Sequence, residues 1–437
     1  MDAPGNIAWA VTATALVLFM TPGVAFFYGG LVKAKSVVSM MMMSFGALGL
    51  VSVLWILYGA NMSVVDGTWS FAGNPFSDFG LANLATGDDA NVGLLGTAYG
   101  ATFAIITVAL ISGAIADRAK FGAWMIFAGL FATLVYFPVA AWVWGGGWVY
   151  NLGTTLFGEE SGVAVIDYAG GTAVHINAGA AALALAIVLG KRIGFQKGIL
   201  KPHNVPLTLL GAAILWFGWF GFNAGAEWLS EDMGGVGLIA INTLGATAAA
   251  VIGWIIVEKF KDGKPTSVGA ASGAVAGLVA ITPACANLAP GWALVLGIVT
   301  GAVCALAVEL KFKWGFDDSL DVVGIHLVGG LIGTIYLGFF ATETGLFLGG
   351  GADQLVVQVI AAFGVLIYSF VVAAVIGFVI EKTIGFRVKN EDELAGVDTV
   401  VHGEEDTSST SASDASIERG ASRESAAPLV VGARVTR

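Results

Sequence analysis

Charged residues are scarce in this sequence. They make up 12% of its 437 residues, whereas soluble domains average about 25%. Hydrophobic residues make up 57% and form long runs with few alternating β patterns. This composition excludes an ordinary soluble domain. Because only helices and closed barrels satisfy their backbone in lipid, it predicts an all-α polytopic membrane protein embedded in a lipid bilayer.

Cysteine and histidine are also rare, at two and four residues. Cys285 and Cys304 are too few and too distant to indicate a disulfide framework. No carboxylate or thiol stands at ligand spacing beside a histidine in a predicted span, so we expect no metal site and no cofactor. Acidic residues outnumber basic ones by 31 to 20, giving a net charge of −11, which argues against nucleic acid as a partner.

Basic residues are missing from every second loop between the apolar runs. About 20 apolar residues cross a bilayer as a helix, and on that basis we predict eleven transmembrane helices. Their approximate bounds are 7–29, 36–60, 93–115, 121–142, 164–189, 204–223, 234–257, 267–282, 291–309, 322–341 and 353–381. Outside the C-terminal tail, every Lys and Arg follows an odd-numbered span. The positive-inside rule then places the N-terminus outside and the C-terminus inside.

Eleven spans divide as five, five and one. An odd number of spans inverts the following half, so we expect an inverted 5+5 repeat with halves at about 7–190 and 204–341. With span 11, at about 353–381, they would form a transmembrane domain over 1–385. Inverted repeats place a substrate site near the membrane midplane, between the halves.

The C-terminal residues 386–437 differ in composition from the rest. Aromatic residues end at Phe386, and from about Asn390 the chain is rich in Ser, Thr, Asp, Glu, Ala and Gly. Such a segment cannot bury a core. We therefore expect a cytoplasmic segment that is largely disordered from about Asn390 onward.

Two of the four histidines lie in corresponding predicted spans. His175 is in span 5 and His326 in span 10, and each follows an aspartate, Asp167 or Asp318, by eight residues. Helical rise would put Asp167 roughly 12 Å from His175. Ionisable groups at this depth typically line a pathway; packing histidines that coincide by chance are the alternative. Asp167 is interpreted either as a helix cap or as an electrostatic attractor, and Asp318 as a cap.

Aromatic residues are concentrated at the outer ends of two spans, in residues 142–148 (WVWGGGW) and 216–223 (WFGWFGFN). They fit an interfacial belt. They equally fit a cation site, because aromatic faces attract a partly dehydrated cation, and no basic residue on this side opposes one.

Three motifs together resemble the Amt/Mep/Rh ammonium transporters, on the Amt side. They are residues 167–177 (DYAGGTAVHIN), 219–225 (WFGFNAG) and 324–330 (GIHLVGG), and the resemblance extends over about residues 7–403. It implies an ammonium transporter of the cell (cytoplasmic) membrane rather than an enzyme. It also implies a homotrimer with one pore per subunit.

The resemblance implies a role for each matching pore residue. His175 and His326 would line a narrow hydrophobic pore, and Phe103 and Phe222 would stack as a gate at its outer mouth. The further pore-lining residues implied are Trp219 and Thr282.

The resemblance also implies an outer ammonium recruitment site. Its members would be Trp144, Phe103, Asp167 and Ala226. The family often has serine at the last position, where its hydroxyl accepts a hydrogen bond from ammonium. Alanine here implies weaker recruitment, or compensation by a neighbour such as Glu227.

Residues 385–404 resemble the Amt C-terminal segment, which carries regulation between subunits and contacts PII-type signalling proteins. The match is partial, because Val401 stands where an acidic residue is expected. A PII-type partner is accordingly one expectation for this face.

Elementary energetics agree with a pore for ammonia. Moving bare ammonium into an apolar pore costs tens of kcal/mol. Deprotonation at pH 7 costs only about 3 kcal/mol, because its pKa is roughly two units above neutral. Potassium has no proton to lose. Three alternatives remain: an ammonium sensor acting through a partner, a Rh-like carbon dioxide channel, and an intramembrane enzyme, for which no nucleophile or metal stands near His175.

Overall fold

The computed structural model describes residues 3–67, 70–195, 202–229 and 233–404. Helices dominate this part of the chain, and its only β pairing is one isolated antiparallel bridge between Ala119 and Arg387. The prediction of an all-α polytopic membrane protein is confirmed. The predicted disorder of residues 405–437 lies outside the described residues.

Ten of the described helices are long and apolar enough to cross a membrane, and an eleventh apolar helix is shorter. We number them in chain order: α1 Pro4–Leu31, α2 Ala34–Met62, α3 Ala90–Ile115, α4 Phe121–Val143, α5 Gly171–Leu189, α6 Val205–Trp228, α7 Met233–Lys261, α8 Ser267–Ile281, α9 Pro290–Trp314, α10 Val323–Phe340 and α11 Asp353–Thr383. Most bounds lie within a few residues of the predicted spans. Only α8, with 15 residues, is shorter than a typical span.

The predicted start of span 5 is wrong by seven residues. We expected it at 164, whereas α5 begins at Gly171 and residues 163–167 have no regular structure. Gly170 has φ 113°, a conformation that side chains with a Cβ rarely adopt. Residues 163–166 are apolar but have no regular structure, so their apolar character does not mark a helical turn.

Equivalent helices pack in equivalent pairs. Helix α1 packs on α3 as α6 packs on α8, and α5 and α10 pack on each other and on α11. The largest interface joins α1 to α6. Where α5 crosses α10, a Cβ on Gly179 would lie 2.5 Å from the Leu327 nitrogen, so only glycine permits this approach. The pairing supports the expected 5+5 division.

The segment after α11 folds back onto the helix ends. It forms two short helices, α12 Asn390–Ala395 and α13 Val397–His402. Glu393 and Asp398 in these helices are 4% and 1% exposed. The prediction of disorder from about Asn390 is therefore wrong for residues 390–404. Composition missed this docking because it combines two buried carboxylates with the burial of single apolar residues such as Val397, and not with a continuous apolar run.

Candidate functional site

Both membrane histidines lie on π-helical turns. His175 is in the turn Gly171–Ile176 and His326 in the turn Val323–Leu327. Each turn continues into a regular α-helix, Asn177–Leu189 or Val328–Phe340. Single π-helical turns within helices are rare and are often found at functional sites. The two turns are thus equivalent in sequence position and in local structure.

The histidine rings meet side by side. Their Nδ1 atoms are 3.2 Å apart, and the rings are nearly parallel at a centroid distance of 5.3 Å. In a neutral pair, one Nδ1 must donate a proton and the other must accept it. The Nε2 of His175 is buried and has no hydrogen-bond partner among the described residues. The pair therefore shares one proton internally and leaves this nitrogen available.

Aromatic rings from α6, from α3 and from the residue that follows α4 continue the stack beyond His175. Trp219 lies 5.4 Å from the His175 ring and nearly parallel to it, and Phe222 lies at 6.1 Å. Phe222 stacks on Phe103 at 4.2 Å, and Phe103 meets the edge of Trp144 at 6.1 Å. The structure thus brings together the predicted gate, pore and recruitment aromatics in one column.

Thr282 is hydrogen-bonded to the Trp219 ring of this column. Its hydroxyl accepts a hydrogen bond from Trp219 Nε1 at 2.7 Å and donates to the Leu278 carbonyl oxygen at 2.7 Å. The Asn223 side chain lies 3.3 Å from the same hydroxyl and donates to Thr243 at 3.0 Å. These bonds fix the Trp219 ring against His175. Asn223 belonged to a quoted motif, but sequence reasoning gave it no role.

Asp167 caps the turn that carries His175. Its carboxylate accepts hydrogen bonds from four successive amides, at 2.9, 2.6, 2.9 and 2.9 Å; the donors are Gly170, Gly171, Thr172 and Ala173. Its carbonyl oxygen accepts a bond from Trp144 Nε1 at 2.8 Å. Residues 167–170 are not helical, and Gly170 has φ 113°, so the helical rise used to place Asp167 relative to His175 does not apply to them. Of the two interpretations, the structure contains the cap, and the electrostatic role stays a prediction.

Asp318 has a similar position but fewer bonds. One carboxylate oxygen accepts from the Val323 amide at 2.7 Å, as predicted for a cap, and the other has no partner within the described ranges. Lys311 donates to the Asp318 carbonyl and to Asp321, at 2.9 and 2.6 Å. Burial raises the pKa of Asp318 to about 6, although the charge of Lys311 acts to lower it.

An open cavity of about 470 Å³ adjoins the outer end of the ring column. Phe103, Trp144, Tyr168 and Ala226 are among its lining residues. Among the described residues, no charged side chain contributes to this lining. Beside it, the Tyr168 hydroxyl donates to the Glu227 carboxylate, which also accepts from the Gly235 amide. The Glu227 carboxylate thus belongs to the residue that follows Ala226 in the chain.

Sequence reasoning missed a buried ionic cluster at the opposite ends of the helices. Arg192 donates to Asp117 at 2.7 Å and to Asp317 at 2.9 Å. Burial acts to raise the pKa of the Asp317 carboxyl, but the hydrogen bonds and charge of Arg192 hold it below its usual value. Arg192 was used only to count loop charge; its pairing with acids 75 and 125 residues away has no local signal.

The C-terminal segment attaches close to this cluster. Arg387 pairs with Glu393 at 2.6 Å, and Glu393 accepts from the Ile193 amide at 2.6 Å. Asp398 accepts from the Val38 and Ser39 amides at the start of α2, at 3.0 and 2.7 Å. The segment therefore contacts the start of α2 and the loop after α5, both in the first half of the chain.

Together, the apolar helices, the equivalent packing of the two sets of helices and the buried histidine column define a multi-pass helical membrane protein of the transporter and channel class. The model of the Ammonium Transporter Family matches residues 8–407. The chain belongs to this family.

Known proteins of this family are similar along most of their length. An ammonium transporter of Mycobacterium tuberculosis (strain ATCC 25618 / H37Rv) is 49% identical, with 92% of this chain and 89% of the relative covered. The crystal structure of Candida albicans Mep2 is 31% identical, has a TM-score of 0.80, and matches over 89% of this chain and 87% of that one. A structure named Sensor Amt Protein is 26% identical, has a TM-score of 0.82, and matches over 91% and 98%.

Proposed function

We propose that this protein transports ammonium across the cytoplasmic membrane and is not an enzyme. The observation that carries the proposal is the unbroken ring column from Trp144 through the stacked Phe103 and Phe222 to the His175–His326 pair. Along this column the recruitment residue comes first, the phenylalanine pair second and the histidine pair last. Ammonia conduction requires the same order of recruitment, deprotonation and passage. The family's relatives are named ammonium transporters, which supports the same substrate.

Recruitment is assigned to the cavity beside Trp144. Aromatic faces attract a partly dehydrated ammonium ion, and the carboxylates of Asp167 and Glu227 add negative potential nearby. Ala226 offers no hydroxyl to the ion. A methyl group there leaves the aromatic rings and the electrostatic field to provide the attraction, so we expect recruitment to be weaker than with serine.

Ammonium loses its proton before it passes the Phe103–Phe222 stack. The bare ion would lose its hydration there at a cost of tens of kcal/mol, whereas deprotonation costs about 3 kcal/mol at pH 7. Ammonia then passes along the histidines and Trp219, with Thr282 holding the Trp219 ring. Potassium is rejected because it cannot become neutral.

The proton has two possible fates. It returns outside, which makes transport electroneutral, or it passes along the histidine pair, which makes transport electrogenic. The Nδ1–Nδ1 contact of 3.2 Å favours the second route, since one proton already lies between the rings.

The remaining assignments follow from the loop charges and the family. We infer an outside N-terminus, a cytoplasmic C-terminus, a transmembrane domain over residues 1–385 and a regulatory segment from residue 386. We also propose a homotrimer with one pore per subunit and a PII-type signalling protein as a partner at the cytoplasmic face.

A second candidate function is an ammonium sensor acting through such a partner. The similarity to the Sensor Amt Protein favours it. A sensor would show slow or no flux, together with a strong effect of ammonium on partner binding.

The test is current from purified protein in a planar bilayer, with an ammonium pulse followed by a potassium pulse. Current with ammonium and none with potassium is the result expected for electrogenic transport. If no current flows, the internal pH of matched vesicles distinguishes the rest: alkalinisation indicates neutral ammonia conduction, and no change in pH rejects transport. Equal carbon dioxide flux without an ammonium gradient would favour a gas channel.

A further inference from the structure

Helix α11 carries two buried glutamines one turn apart. Gln354 is 1% exposed and Gln358 is not exposed at all. Burial of an amide is costly unless it is hydrogen-bonded, and neither side chain belongs to the ring column. Glutamines in so apolar a helix therefore need an explanation outside the transport path proposed above.

Every hydrogen-bonding position of the Gln358 amide is occupied. Its oxygen accepts from the Ile166 nitrogen at 2.7 Å and from Gln354 Nε2 at 3.2 Å. Its nitrogen donates to the carbonyl oxygens of Ile166 and Thr334, at 2.8 and 3.0 Å. The flipped amide would place its oxygen against two carbonyls, so the chemistry fixes its orientation.

These bonds reach both histidine-bearing elements. Ile166 immediately precedes Asp167, whose carboxylate caps the His175 turn and whose carbonyl holds Trp144. Thr334 lies on α10, which also carries His326, and its hydroxyl is 3.4 Å from that of Thr172 in the His175 turn. The Gln358 amide on α11 thus connects the segment before α5, in the first half of the chain, to α10, in the second half.

Gln354 adds a weaker attachment to the same segment. Its nitrogen donates to the Ala164 carbonyl at 2.8 Å. Segment 163–166 has no regular structure of its own, so it lacks the backbone bonds that a helix or sheet would provide. Beside the packing of its apolar side chains, these two glutamines provide hydrogen bonds that fix its position next to Asp167.

We propose that Gln358 is a positioning residue for ammonium recruitment. It fixes the segment that presents Asp167 and Trp144 to the outer cavity, without touching the ion or a ring of the column. The inference rests on the proposed function, because it assigns recruitment to that cavity.

The test is the ammonium dependence of transport by purified Gln358→Leu in proteoliposomes. We expect the half-saturating ammonium concentration to rise about tenfold, the equivalent of about 1.4 kcal/mol, with a smaller change in maximal flux. Ser369→Ala is the matched control: Ser369 is buried on the same helix, and its hydroxyl has no partner in the described part. Half-saturation should be unchanged in this control.

Gln358→Glu gives a readout that a purely structural role would not move. A protonated carboxyl accepts from Ile166 and donates to one carbonyl, whereas a carboxylate repels both carbonyl oxygens. Burial favours the neutral acid. Relative to wild type at each pH, half-saturation should therefore be closer to normal at pH 5.5 than at pH 7.5.

Each outcome separates the two proposals. Wild-type half-saturation in Gln358→Leu, or a loss of maximal flux alone, overturns the positioning role. If Gln358→Leu does not fold, Gln354→Leu, which removes the Ala164 bond, should raise half-saturation about threefold, on the scale of half a typical net hydrogen bond; no rise would again overturn it. Absence of ammonium flux in wild type would overturn the proposed function instead.

Discussion

The two histidine turns have the same pattern in sequence but are anchored differently. Asp167 and Asp318 each stand eight residues before their histidine, and both histidine turns are π-helical. The carboxylate of Asp167 accepts from four amides, whereas that of Asp318 leaves one oxygen without a partner among the described residues. The same local turn thus has a fully satisfied cap in one half and a partly satisfied one in the other.

This difference sets what opposes burial at each aspartate. Burial raises the pKa of Asp167, and its four amide hydrogen bonds act to lower it. Burial also raises the pKa of Asp318, to about 6, and there the charge of Lys311 acts to lower it. Repetition of the motif therefore repeats the backbone turn without repeating the interactions of its aspartate.

The largest expected effect is that of Asp167→Asn. Asparagine would place its NH₂ group against amide donors that now bond to a carboxylate. We expect a loss of about 3 kcal/mol in stability and a fall of more than about tenfold in ammonium flux, measured by thermal unfolding in detergent and by proteoliposome transport. Asp318→Asn is the matched control and should retain most flux. Equal losses in both variants would contradict the comparison.

The histidines themselves give the next test. His175 contacts the rings of Trp219, Phe222 and His326, whereas the only ring contact of His326 in the described part is His175. His175→Ala should therefore reduce ammonium flux more than His326→Ala does, or admit potassium through the space it leaves. Ammonium and potassium currents measure both effects. Unchanged flux and selectivity in His175→Ala would remove the twin-histidine mechanism.

A smaller effect concerns pH. The pKa of Asp318 is raised to about 6 on folding, against about 3.9 in an unfolded chain. Protonation therefore stabilises the fold, and this contribution is fully present below about pH 4 and lost as the pH rises through about 6. Asp318→Asn has no carboxyl to titrate at this position, so it does not lose this contribution as the pH rises. The stability of Asp318→Asn relative to wild type should therefore increase by about 2 kcal/mol between pH 4.5 and 7.5. A constant difference between the two proteins would mean that Asp318 does not titrate.

The smallest effect is expected from removing the tail after residue 404. Its polar composition cannot pack as a core, so folding and basal flux should remain as in the full chain. Ending the chain after residue 389 is the contrasting truncation, because it removes Glu393 and the Asp398 cap on α2. It should lower stability by about 1 kcal/mol or more. Loss of the folded protein on the first truncation would contradict the prediction.

Local patterns were sufficient where the structure depends on neighbouring residues. Apolar runs gave most helix bounds to within a few residues, and the paired Asp–His spacing located both histidine turns. The start of α5 was missed because residues 163–166 are as apolar as a helix but form an irregular segment before Gly170. Hydrophobicity alone does not distinguish a helical backbone from an irregular one over so short a run.

The sequence by itself determined the membrane class, the family and the residues of the ring column. Apolar runs and short motifs are formed by residues that are neighbours in the chain, so they can be recognised without the fold. Only the tertiary structure decided which carboxylate is fully capped, how the C-terminal segment docks, and what Gln358 holds. The Ile166–Gln358 bond joins residues 192 positions apart. Such bonds form only after the helices have packed, and no periodicity in the sequence records them.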